Sequence, residues 1–420
     1  MLVYKFGGAS VRSADGIRNI AQIVSGVKEN LFIVVSAMGK TTNALEEVLA
    51  CFMKAERKEA LQKLDEIESY HREIIHELFE NENIGLQATK PAFDEMKIFL
   101  LEGVGDDYDR WYDQLVSYGE VISTQVISAY FTERNLANTW LDMRKLLVTD
   151  SNYREANVNM PESEKRLKNA VKFDVCRIFI GQGFIGNNSQ GRPTTLGREG
   201  SDYTAAVVGN LLDAESVSIW KDVPGILNAD PRIFRNTVHI PELTYLDAVE
   251  LAFSGAQIIH PKTIKPLENK MIPLYVRPFD NPTEAGSVIR GEVSKPIDVP
   301  VLILKKNQVL FTLRPLDFSF ILEESLSWIF TVVEKYRLKV SLIQSSAVSI
   351  SICVDNNRYL QRALDELTTD YRVSYNEGLE ILTVRGINPE IVEQTTRERE
   401  ILVQQKTRRM GRFVMREKKD

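Results

Sequence analysis

Apolar and polar positions along this chain fall into two periods. The apolar run Leu2-Val3-Tyr4 ends in Lys5-Phe6-Gly7-Gly8, and Ile17, Ile20, Ala21, Val24 and Val27 then recur at helical spacing behind Ser13, a good N-cap. Leu31 to Val35 follows as a second apolar run, so the opening predicts a parallel βαβ unit. From 44 to 135 the pattern is helical and charge-rich, with Leu61, Leu64, Ile67, Ile74, Ile75 and Leu78 facing inward, which predicts a helical lobe. Strands return at Asn138 to Leu141, Cys176 to Ile180 and Ser216 to Trp220. Beyond Pro296 short β-rich runs (Val301 to Leu304, Val309 to Leu313, Val340 to Ile343, Val348 to Val354) alternate with helices at Glu323 to Tyr336 and Tyr359 to Thr368. That β-α-β-β-α-β order predicts a second, ferredoxin-like domain, with Gly291 to Pro300 as the linker.

Composition narrows the class. At 420 residues, with 44% hydrophobic residues, the chain calls for two or three domains with ample core. No stretch approaches eighteen uninterrupted apolar residues, and the N-terminus lacks a charged n-region and apolar h-region, so no membrane span or export signal is expected. Cys51, Cys176 and Cys353 lie far apart inside apolar runs without metal-ligand spacing, which fits core residues in a reducing, cytoplasmic setting. A net charge of -6 disfavours non-specific nucleic-acid binding. The basic stretch Lys406, Arg408, Arg409, Arg412, Arg416, Lys418, Lys419 fits a solvated edge strand and tail.

The chemistry concentrates where strands end. Lys5 with Gly7 and Gly8 suits phosphate: glycine lets backbone N–H groups approach an anion, and lysine adds a mobile charge. Thr194-Thr195-Leu196-Gly197-Arg198-Glu199-Gly200-Ser201-Asp202 runs into a helix, with Ser201 or Asp202 as N-cap, and forms a second anion cradle in which Arg198 offers a fork for a carboxylate or phosphate. Ser36-Ala37-Met38-Gly39-Lys40-Thr41-Thr42-Asn43 contains Gly-Lys-Thr, but Val34 stands where a Walker loop needs glycine, so the P-loop reading fails. No Gly-x-Gly-x-x-Gly opens a strand, which disfavours a nicotinamide enzyme. Glu120, in Ser117-Tyr118-Gly119-Glu120, is either a first-turn surface acid or a site residue on this pattern alone.

KFGGAS (Lys5 to Ser10), SAMGKTTN (Ser36 to Asn43), SYGE (Ser117 to Glu120), GQGFIG (Gly181 to Gly186), TTLGREGSDYTAA (Thr194 to Ala206), WKDVPGILNADPR (Trp220 to Arg232) and Ala256 to Pro261 together resemble the aspartate kinases, in order and spacing along the whole chain. The resemblance implies an α/β chain: an amino-acid-kinase-like three-layer αβα catalytic domain (1–291) with a mainly parallel central sheet, then α+β ferredoxin-like ACT modules (292–420). One module would be complete (308–378) and one truncated (297–307 plus 379–420). The implied reaction is transfer of the γ-phosphoryl of ATP to the side-chain carboxylate of aspartate, on the route to lysine, threonine and methionine. Mg²⁺ would be bound mainly through the nucleotide phosphates, with no metal ligands of the protein's own.

By the same resemblance Lys5 and Asp202 are catalytic. Thr42, Glu120, Phe184, Arg198 and Ser201 bind the amino acid, Glu120 at its ammonium and Arg198 at its α-carboxylate. Gly7, Gly8, Ser10, Lys221, Asp222, Leu227, Arg232 and Gln257 join Lys5 on the nucleotide side. Ala9, Glu199, Leu227 and Gln257 stand where the family pattern has threonine, glycine, an aromatic and lysine. Asp317 to Leu322 and Lys339 to Leu342 lack the glycine and acid expected of an effector grip, so feedback inhibition is left open, while pairing of the modules predicts a homodimer. A non-catalytic amino-acid sensor and a kinase acting on a related carboxylate or a nucleotide are the alternatives.

Overall fold

The computed structural model describes residues 1–420 except 102–106, 257–258, 318, 388 and 419–420. Gln257, Phe318 and Lys419 therefore lie outside the described residues. The chain divides into two compact units: Met1–Ile226, His239–Val249 and Gln257–Pro296 form the first, and Leu227–Val238, Glu250–Ala256 and Ile297–Asp420 the second.

The first unit is built on an eight-stranded sheet in the order Glu242–Thr244, Ser287–Arg290, Leu274–Pro278, Ser216–Lys221, Leu2–Phe6, Leu31–Val35, Ile178–Gln182, Thr139–Leu141. Neighbours pair in parallel except Leu274–Pro278 with Ser287–Arg290. The central strands Ser216–Lys221 and Leu2–Phe6 are buried except at their end residues Ser216, Lys221 and Leu2, which suits a parallel sheet covered on both faces. Register sets Phe6 beside Val35 and Trp220, and these side chains join Tyr4, Ile33, Val126 and Phe131 in a core under the helices Ala14–Ser25 and Tyr118–Glu133. Alternation sends Val3 and Lys5 to the other face, where the helix Gly200–Leu211 packs. Ser13 caps the first helix by accepting from the Gly16 N–H at 3.2 Å, as its position predicts.

Between the second and third strands in sequence, helices Thr41–Met53, Arg57–Leu78, Glu82–Phe99, Tyr108–Val116 and Tyr118–Glu133 occupy the stretch with helical period. Leu64, Ile67, Ile74, Ile75 and Leu78 are buried, Leu61 half so.

The second unit carries a six-stranded antiparallel sheet, Val340–Ser346, Ser349–Asp355, Val301–Pro315, Tyr371–Arg385, Met410–Glu417, Arg399–Lys406. Helices Glu323–Lys335 and Leu360–Leu367 cover Val309, Phe311, Leu313, Ile350 and Ile352. The two runs expected as separate strands, Val301 to Leu304 and Val309 to Leu313, are one bulged strand, because Asn307 takes a left-handed φ of +55° and absorbs a register shift without ending the ladder. The helix Pro389–Thr396 and the last two strands follow. Met410–Glu417, which holds Arg412 and Arg416 of the basic stretch, is an inner strand, and Arg399–Lys406, which ends in Lys406, is the edge. Of the three cysteines only Cys353 is fully buried. Among the described residues no helix is long and apolar enough to cross a membrane.

Candidate active site

Strand alternation and a helix start bring Lys5 and Asp202 together. Lys5 lies one residue before the carboxyl end of its strand, and Asp202 in the first turn of Gly200–Leu211, so the ammonium and carboxylate meet at 2.6 Å. Both side chains are nearly sealed from water, at 9% and 3% exposure. Lys221, at the end of the neighbouring strand, reaches the other Asp202 oxygen at 3.4 Å. Burial pushes the Asp202 carboxyl up, but Lys5 and then Lys221 outweigh it and hold it below the usual carboxylate range. The site is thus a fixed negative charge held between two ammonium groups.

Glycine shapes the space beside Lys5. A Cβ on Gly7 would sit 3.4 Å from the Lys5 Nζ, and one on Gly8 only 2.8 Å from the Ala37 carbonyl oxygen, so side chains there would close the cradle. The Gly39 N–H donates to the Gly8 carbonyl at 3.0 Å, tying the two loops together, and the Ser10 N–H to that of Gly7 at 3.0 Å, closing the first of them. Gly39 has a φ of +54°, and the helix Thr41–Met53 starts just beyond it, with Thr42 half-buried in its first turn.

Helix Tyr118–Glu133 points its N-terminus at the same place. Glu120 is 3% exposed and its Oε1 accepts from the Ala37 N–H at 3.2 Å, while Oε2 is buried without a hydrogen-bond partner. Burial pushes its carboxyl up to about 8; the backbone amides and Lys5 pull the other way. A sealed carboxylic acid with a vacant oxygen is poised to take a cation. The surface alternative for Glu120 is excluded.

The start of Gly200–Leu211 differs from the capping expected of Ser201 or Asp202. Glu199 occupies the N-cap with a left-handed φ of +53° and no side-chain cap, and both predicted caps lie inside the first turn. The Gly200 N–H closes onto the Gly197 carbonyl at 3.0 Å, so the helix starts earlier, and the Asp202 carboxylate goes to Lys5 instead of to backbone. Glu199 thus holds a left-handed backbone that glycine would enter without strain. Ser201 is buried against Gly183, where a Cβ would come within 2.4 Å of the Ser201 Cβ. Phe184 holds a φ of +72°, fixed by its N–H donating to the Thr204 hydroxyl at 2.9 Å and its carbonyl accepting from Leu196 at 2.8 Å. Arg198 is exposed on the turn, without an ion pair among the described residues.

Asp222 is exposed just past Lys221. Leu227 and Arg232 belong to the second unit, where the Arg232 fork engages Asp230 at 2.7 Å. Sequence reasoning assigned Lys221 only to nucleotide and missed its grip on Asp202, a contact across neighbouring strands that no spacing reveals. It also missed Asp113, a carboxylate on the lobe helix Tyr108–Val116 that burial pushes up to about 6 against hydrogen bonds from Thr195 and Arg154. The one signal was an acid at an inward position of a helical pattern.

The chain matches the amino acid kinase family over residues 1–278. It is 31% identical over 402 residues to the lysine-sensitive aspartokinase 3 of Escherichia coli (strain K12), spanning 92% of this chain and 87% of that one. It is 30% identical over 399 residues to the chloroplastic aspartokinase 1 of Arabidopsis thaliana, spanning 91% and 68%. Among solved structures, E. coli aspartokinase III in complex with aspartate and ADP (R-state) aligns with a TM-score of 0.87 at 28% identity, over 99% of this chain and 96% of that one. With a family match over most of its first unit and aspartokinases matching nearly its whole length, the chain belongs to the amino acid kinase family and, within it, to the aspartokinases.

Proposed function

We propose that the chain transfers the γ-phosphoryl group of ATP to the side-chain carboxylate of L-aspartate, giving 4-phospho-L-aspartate and ADP, at the centre formed by Lys5 and Asp202. The observation that carries this reading is the buried 2.6 Å pair beside a glycine cradle at the carboxyl end of the central strand. The acceptor carboxylate is already a nucleophile: its oxygen bonds to the γ-phosphorus as the bond to the β–γ bridging oxygen breaks. Catalysis then rests on alignment and charge neutralisation. Lys5 neutralises the travelling group, and Asp202, shared with Lys221, fixes the Lys5 ammonium. Gly7, Gly8 and Ser10 supply the loop around the phosphates, with Lys221 and Asp222 on the nucleotide side.

The acceptor is recognised by both of its charged ends. Glu120 takes the ammonium with its vacant oxygen, Arg198 forks the α-carboxylate, and Ser201, Thr42 and Phe184 border the side chain. The Asp202 carboxylate is taken up by two ammonium groups, and Mg²⁺ would enter with the nucleotide, held mainly by phosphate oxygens and water.

The test is direct: purified protein with MgATP, aspartate and hydroxylamine yields aspartyl hydroxamate. Glutamate, acetylglutamate and uridine monophosphate in place of aspartate yield none of the corresponding product. Absence of product with every acceptor, hydroxamate for the carboxylates and diphosphate for the nucleotide, would favour the sensor reading. A homodimer through the ferredoxin-like modules belongs to the same proposal: Val340–Ser346 is an edge strand, laddered to a neighbouring strand on one side only. Light scattering after gel filtration reads twice the chain mass if it holds.

A further inference from the structure

Asp113 is fully buried at 0% exposure, yet no step of the phosphoryl transfer uses it. Its Oδ1 accepts from the Thr195 hydroxyl at 2.6 Å, and its Oδ2 from the Thr195 N–H at 2.9 Å and the Arg154 N–H at 3.0 Å. A carboxylate is costly to bury unless its oxygens are met by donors, so three convergent donors indicate a place that has to be held.

What they hold is the turn that carries Arg198. Thr195 ends the strand Pro193–Thr195, and only Leu196 and Gly197 separate it from Arg198. On the other connection, the Arg154 carbonyl oxygen lies 3.1 Å from where a Cβ on Gly197 would sit, with the Glu155 Cγ at 3.3 Å. Arg154 has a left-handed φ of +68°, which a non-glycine residue keeps only where its surroundings fix it. One carboxylate therefore pins both segments packed against the turn, and it comes from the helical lobe. Lys262 adds a second tether, its ammonium donating to the Leu196 carbonyl at 3.3 Å and the Ala156 carbonyl at 3.4 Å. The exposed guanidinium of Arg198 has no ion pair of its own among the described residues, so its direction is set by the backbone beneath it.

We infer that Asp113 is a positioning residue: through Thr195 and Arg154 it fixes the Arg198 turn and thereby sets affinity for the α-carboxylate of the acceptor, without touching substrate. The inference rests on the reading of Arg198 as the acceptor clamp. It also makes the lobe helix Tyr108–Val116 part of the acceptor site.

The hydroxamate assay on the full chain compares wild type, Asp113→Asn, Thr195→Val, Arg198→Ala and the Asp113→Asn/Arg198→Ala double variant. Asp113→Asn is expected to raise the KM for aspartate about tenfold and Thr195→Val about threefold, with the KM for ATP and kcat within about twofold of wild type. In the Arg198→Ala background Asp113→Asn should add nothing to the KM for aspartate. A general loss of packing would act on both substrates and persist in that background, and that result overturns the inference. If Arg198→Ala raises the aspartate KM while Asp113→Asn and Thr195→Val leave it unmoved, Asp113 alone loses its role. If Arg198→Ala has no effect, the clamp reading falls and the inference with it. Should Asp113→Asn fail to fold, Thr195→Val decides the matter by the same criteria.

Discussion

Aspartate binding should eject a proton, and the structure sets how much. The Glu120 carboxyl is pushed up to about 8 in the substrate-free site, so at pH 7 about nine in ten molecules carry it neutral. An ammonium group seated against its vacant oxygen requires the ionised form. Binding at pH 7 should therefore release about 0.9 proton per aspartate, and about 0.5 at pH 8. Because the ionised fraction rises from about 0.1 to about 0.5 over that interval, the dissociation constant should fall about fivefold. Titration calorimetry in two buffers of different ionisation enthalpy measures the release directly, as the difference in heat divided by the difference in enthalpy. Glu120→Gln should abolish the buffer dependence and the pH trend together. Identical heats in both buffers for the wild-type chain, or uptake of a proton, would refute the assignment of Glu120 to the ammonium.

The same carboxyl bears on stability. Between pH 4.5 and about 8 the folded chain keeps a proton that the unfolded chain has released, so the Glu120 contribution declines as pH rises through that window, and Glu120→Gln should flatten the decline in Tm. Lys5→Ala removes the central cation and leaves Asp202 with Lys221 alone; kcat should fall by about a thousandfold or more, with thermal unfolding at lower temperature because a buried pair has lost one partner. Gly8→Ala places a methyl group 2.8 Å from the Ala37 carbonyl oxygen and should raise the KM for ATP more than that for aspartate in steady-state assays. Glu199→Gly relieves the left-handed N-cap and should raise stability by up to about 1 kcal/mol, read by denaturant titration.

Much of this molecule is legible where local and global preferences agree. The βαβ opening, the Ser13 cap and the inward stripe of Arg57–Leu78 follow from period and capping alone. Lys5 and Arg198 stand out because glycines flank them, a signal of close backbone approach. The failures occur where tertiary contacts override local chemistry. Asp202 is a good N-cap residue by type, yet the buried ammonium of Lys5, far earlier in the chain, takes its carboxylate. The pair Lys305-Lys306 breaks the strand pattern, but a left-handed Asn307 lets the ladder run on as a bulge. Asp113 and Lys221 owe their roles to neighbours distant in sequence, and no motif spacing encodes such contacts.

The most direct measurement is a crystal structure of this chain with aspartate and a stable ATP analogue. The Lys5 ammonium should lie within about 3 Å of a γ-phosphate oxygen, and the Arg198 fork at a similar distance from the α-carboxylate of the bound aspartate. An aspartate bound away from Arg198 and Glu120, or a triphosphate whose terminal group lies outside the reach of Lys5, would contradict it.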